Sequence, residues 1–66
     1  LNYLLPSYRD YIIGSKTGYT EEAGECLFLI LKFKNSPFLF LGILDSPARF
    51  KDADYILSIL KNYYED

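Results

Sequence analysis

Residues 25–34, Glu-Cys-Leu-Phe-Leu-Ile-Leu-Lys-Phe-Lys, limit the fold more than any other stretch. In an extended strand, alternation puts Leu27, Leu29, Leu31 and Phe33 on one face and Cys26, Phe28 and Ile30 on the other. Both faces are apolar, so the strand belongs at the centre of a sheet with cover on both sides. Residues 38–44, Phe-Leu-Phe-Leu-Gly-Ile-Leu, repeat this two-faced pattern. Asn35-Ser36-Pro37 between them is turn chemistry, and so short a connection makes the two strands an antiparallel hairpin.

The flanking segments complete an α+β class. Residues 12–19 read as a further strand carrying Gly14 and Gly18; glycine inside a strand marks a place where another backbone or a ligand comes close. Residues 20–24 form a polar connection ending in Gly24, which suits an unusual backbone angle. After 38–44, Ser46 can cap a helix and Pro47 suits its first position. Phe50, Ala53, Ile56, Leu57, Leu60, Tyr63 and Tyr64 then recur at three- and four-residue spacing. Lys51, Asp52, Asp54, Ser58, Lys61 and Asn62 fall opposite, so an amphipathic helix runs to about Tyr64. Residues 1–11 have no clean period. Pro6 disfavours a helical Leu5, and this segment reads as a loop or short helical turn that packs Leu4, Leu5 and its tyrosines on the body. The expected architecture is an antiparallel three-stranded sheet with a C-terminal helix packed on one face.

A single helix leaves the second sheet face uncovered. The chain has 66 residues, half of them apolar, with seven tyrosines and five phenylalanines. It is one domain at most, and a chain of this size buries only about 60% of its unfolded surface. One cysteine excludes an internal disulfide, and without histidine there is no zinc ligand set of the usual kind. Each large apolar side chain is worth about 1.5–3 kcal/mol when buried. The second face is therefore expected to be covered by the rest of a larger domain or by another copy. The start at Leu1 rather than Met fits a piece of a longer protein. No stretch of these 66 residues reads as a signal peptide, and no apolar run among them is long enough to span a bilayer. The net charge of −2 comes without a basic stripe, which argues against a nucleic-acid partner.

Chemistry concentrates in Gly14-Ser15-Lys16-Thr17-Gly18-Tyr19-Thr20. A phosphate-binding P-loop needs glycine directly before the lysine and again five residues earlier. Ser15 and Asp10 occupy those places, so that reading fails. Lys-Thr-Gly on a strand has another use. Lys16 supplies a cation, Thr17 a hydroxyl donor, and Gly18 a stretch free of side chain. Together they suit a small carboxylate, and a strand edge with free amides can stabilise an oxyanion. Lys-Thr-Gly recurs in β-lactamases and penicillin-binding proteins beside Ser-x-x-Lys and Ser-Asp-Asn.

Residues 14–27, Gly-Ser-Lys-Thr-Gly-Tyr-Thr-Glu-Glu-Ala-Gly-Glu-Cys-Leu, closely resemble the D-alanyl-D-alanine carboxypeptidases, the low-molecular-mass penicillin-binding proteins. Downstream, Gly42, Ala48-Arg49-Phe50-Lys51-Asp52-Ala53 and Ile56-Leu57 continue the likeness; Asn2 with Leu4-Leu5 is a fainter match. Ser15 departs from the usual apolar residue, and the Pro-Gly common before Gly14 is missing. The resemblance implies a fragment of the β-lactamase/transpeptidase-like fold, the C-terminal portion of a catalytic domain. It implies a serine peptidase acting on peptidoglycan stem peptides or β-lactams, outside the cytoplasmic membrane, with no metal or cofactor. In that family Lys16 would act in catalysis. Thr17 would bind the terminal carboxylate, the Tyr19 amide just after Gly18 would be an oxyanion donor, and Arg49 would lie near the carboxylate.

The family's serine nucleophile, with its lysine one turn on, precedes Lys-Thr-Gly. Ser58-Ile59-Leu60-Lys61 has that spacing but follows it, on the polar helix face, and no Ser-x-Asn is present. The chain is thus expected to hold one wall of an active site and to be inactive alone. The alternatives are a β-lactamase-type hydrolase fragment and a non-catalytic interaction module using the open sheet face. Cys26, with no histidine to activate it, reads as a buried structural thiol, and Glu21-Glu22 as a solvated loop.

Overall fold

The computed structural model describes residues 6–65. A 3-10 helix, Pro6–Tyr11, leads into strands β1 (Ile12–Thr20), β2 (Gly24–Leu31) and β3 (Leu39–Ile43), followed by helix α1 (Arg49–Glu65). The strands form one antiparallel sheet in the order β1-β2-β3. The architecture is the α+β arrangement expected, with the most apolar strand at its centre. The proposed packing of Leu4 and Leu5 lies outside the described residues.

The register sorts side chains between the two faces. Ser15, Thr17 and Tyr19 pair with Leu29, Leu27 and Glu25, and Leu27, Leu29 and Leu31 pair with Ile43, Leu41 and Leu39. Directly paired residues share a face, so these positions look toward α1. There Leu27, Leu29, Leu31, Phe33, Ile43, Ala53 and Leu57 form the buried core. Gly14, Lys16 and Gly18 share the other face with Ile30, Phe28, Cys26, Phe40 and Gly42. One extra residue in β1, Ile13, shifts the register between Ile12 and Gly14. This bulge keeps Ile12 against the core while Gly14 meets Ile30.

Boundaries shift by a residue at several ends and differ most from the sequence expectation in two places. Pairing in β2 ends at Leu31 rather than at Lys34, because residues 33–36 close a turn. The Phe33 amide donates to Ser36 Oγ (2.8 Å) and the Ser36 amide to the Phe33 carbonyl (3.3 Å). Phe33 stays in the core, stacked on Tyr11 (ring centroids 4.9 Å) and Tyr64 (6.1 Å). The amide of Lys34 donates to the carboxylate of Glu65, tying this turn to the end of α1. At the other end, α1 begins at Arg49 rather than at Pro47. Asp45 has φ 54°, and Ser46 Oγ accepts the Ala48 amide (3.2 Å) in a turn that precedes the helix. Tyr63 is the one misassigned core position on α1. It is exposed and rests edge-on against Tyr64, because Ala53, Leu57, Leu60 and Tyr64 lie in line along the helix and Tyr63 is a turn-step off that line.

Helix α1 covers one face only. On the other, Phe28 is 46% exposed and Phe40 78%, with Ile30 and the adjacent Phe38 also open. Among the described residues no helix is long and apolar enough to cross a membrane.

Candidate functional site

Strand β1 is an edge of the sheet, pairing on one side with β2. Residues 15–20 are all exposed, so the Lys-Thr-Gly segment lies along an open rim. Strand alternation sends Lys16 and Thr17 to opposite faces. Lys16 stands beside Phe28 on the open face, whereas Thr17 stands beside Leu27 on the helix side. The two functional groups meet only around the free edge of the strand.

Lys16 borders an open groove of about 520 Å³ with Ser15, Phe28, Ile30, Phe40 and Gly42. Gly42 lies close under the Phe28 ring: a Cβ there would come within 3.3 Å of it, a tight contact that the ring would have to yield to. Gly18 differs. A Cβ built on it meets nothing within 4 Å, and its φ lies outside the left-handed region. The packing of the chain therefore gives no reason for glycine at 18, and the backbone surface there is bare.

The turn that returns β1 into β2 is fixed by polar contacts. Thr20 Oγ1 accepts the Ala23 amide (2.9 Å), and Gly24 takes φ 67°. Cys26 is buried, and its thiol donates to the carbonyls of Gly24 (3.4 Å) and Ala23 (3.6 Å), in keeping with a structural role.

Arg49, in the first turn of α1, comes to the helix-side face. Its Nη1 lies 2.7 Å from Glu25 Oε1, and the guanidinium stands 5.0 Å from the Phe50 ring centre. Glu25 is the cross-strand partner of Tyr19. The fold therefore gathers Thr17, Tyr19 and Arg49 on one side of the edge strand, with Lys16 and Gly18 on the other. Glu25 was not legible as part of this group. It stands 24 residues before Arg49, with no local pattern to link them; only alternation, which puts it on Tyr19's face, could have drawn attention to it.

The Ser58/Lys61 pair is not assembled as nucleophile and base. The Ser58 hydroxyl donates back to the Tyr55 carbonyl (2.6 Å), and the Lys61 ammonium lies 5.7 Å from the Tyr11 ring centre.

No family model matches the chain, and neither a curated protein nor a solved structure matches it.

Proposed function

We propose that this chain is the C-terminal part of a serine-type D-Ala-D-Ala carboxypeptidase domain and supplies its substrate-binding strand. The observation that carries the reading is Gly18. Glycine weakens a strand interior, yet at this position neither backbone angle nor packing calls for it. A bare backbone on an exposed edge, between a lysine and an amide donor, suits a peptide lying along β1. Recognition by strand addition uses such an edge.

In this reading the Thr17 hydroxyl donates to the terminal carboxylate of the stem peptide, and Arg49 adds charge from the same side. The Tyr19 amide donates to the carbonyl oxygen as it gains negative charge. Lys16 supplies positive charge and assists proton movement near the nucleophile. A serine outside these residues attacks the carbonyl, D-alanine leaves with its amine protonated, and water hydrolyses the acyl-enzyme. The uncovered face with Phe28, Ile30 and Phe40 is where the remainder of the domain packs, and the protein works outside the cytoplasmic membrane. The test is release of D-alanine from a D-Ala-D-Ala-terminated peptide by the full protein. A coding sequence with no Ser-x-x-Lys and no Ser-x-Asn before residue 1, together with no release, would sink the reading.

The exposed apolar face also supports a second reading, a non-catalytic interaction module. It requires partner binding through Phe28 and Phe40 with no acylation by a β-lactam. A β-lactamase fragment would differ in turning over the β-lactam quickly rather than holding it.

A further inference from the structure

The geometry points to Glu25 as the residue that positions Arg49 to read the substrate's terminal carboxylate. This inference rests on the carboxypeptidase reading and extends it to a residue outside the Lys-Thr-Gly motif.

Arginine has a long flexible stem, and its guanidinium recognises a carboxylate well only when held in one orientation. Two contacts hold it here. The Phe50 ring lies under the guanidinium at 5.0 Å, and Glu25 Oε1 grips Nη1 at 2.7 Å. The grip uses one oxygen on one terminal nitrogen, so the guanidinium keeps donors for a second carboxylate. Arg49 Nε is buried and meets no hydrogen-bond partner among the described residues. No backbone carbonyl therefore anchors the inner edge of the group, and Glu25 is its one hydrogen-bonding hold among the described residues, beside the Phe50 ring.

Glu25 is itself firmly placed. Its carbonyl accepts the Ser46 amide (3.2 Å), joining β2 to the turn before α1, and its register partner is Tyr19. The carboxylate thus ties Arg49 to the face of the edge strand that bears Thr17 and Tyr19. An exposed ion pair contributes little to stability, so the effect belongs in substrate binding rather than in folding.

The test compares two peptides in the full protein, one ending in D-Ala-D-Ala carboxylate and one with that carboxylate amidated. Glu25→Ala should raise KM for the free acid about tenfold, the cost of a lost charge-assisted hydrogen bond. KM for the amide, and kcat for both, should hold within about twofold. Glu25→Gln keeps a neutral acceptor and should recover about half of that loss on a logarithmic scale. In an Arg49→Ala background, Glu25→Ala should have no further effect on KM. Equal losses on both peptides, or a KM for the acid that falls, would overturn the positioning role while leaving the carboxypeptidase reading intact. Absence of activity in the unsubstituted protein would remove both.

Discussion

Asp45 occupies the space that a side chain at Gly24 would need. A Cβ on Gly24 would fall 2.4 Å from Asp45 Oδ1 and 3.0 Å from its Cα, and both residues hold positive φ, 67° and 54°. This contact locks the return of the β1–β2 hairpin against the exit of β3. Gly24→Ala should cost about 1–3 kcal/mol from backbone strain, with a further loss as Asp45 is displaced. Urea unfolding of the full protein measures it. Adding Asp45→Gly should recover part of the loss, since the two sites share one contact. Strictly additive changes would refute the coupling.

Ser36 closes the far end of the sheet. It is buried, accepts the Phe33 amide and donates to the Pro37 carbonyl at 2.7 Å. Ser36→Ala leaves those buried groups unmet and should cost about 1–3 kcal/mol. Phe33→Ala removes the ring held between Tyr11 and Tyr64 and should cost about 3–5 kcal/mol. Unfolding midpoints for the two variants check this ranking.

If β1 binds a ligand as proposed, substitution at Gly18 separates that binding from folding. With nothing within 4 Å of its Cβ position, Gly18→Val should leave the unfolding midpoint unchanged or slightly raised, because a β-branched residue favours a strand. The same change places a side chain on the bare edge, and acylation of the full protein by a penicillin should slow at least about tenfold. Unchanged acylation would show that the edge carries no ligand.

These elements were legible in the sequence to different degrees. The unbroken apolar run from Cys26 to Leu31 marks a central strand with two apolar faces, and the pleat alone assigns each residue to its face. The ends of the elements were less visible. Phe33 continues the alternation by side chain yet leaves the ladder, since Ser36 captures its amide. Pro47 looks like a helix start, but positive φ at Asp45 and the turn at Ser46 defer the first helical residue to Arg49. In the candidate site, Lys16, Thr17 and Gly18 are contiguous and could be read directly. The Glu25–Arg49 contact depends on where α1 lands, which no local spacing encodes.

If the chain is part of a larger domain as proposed, the open face should behave as a buried one in that protein. Phe28→Ser and Phe40→Ser are predicted to destabilise it by about 2–4 kcal/mol each, as core truncations do. The isolated 66 residues should associate or fail to unfold cooperatively, as size exclusion and urea titration would show. A soluble, cooperatively folding monomer of these residues would mean that the face needs no cover.

The most direct measurement is the site of a penicillin adduct. Incubating the full protein with benzylpenicillin, digesting it and locating the mass increase identifies the acylated residue. The account predicts one adduct, on a serine outside residues 1–66, formed at least about tenfold more slowly after Lys16→Ala. An adduct on Ser58, on another residue of this chain, or on nothing at all would contradict it.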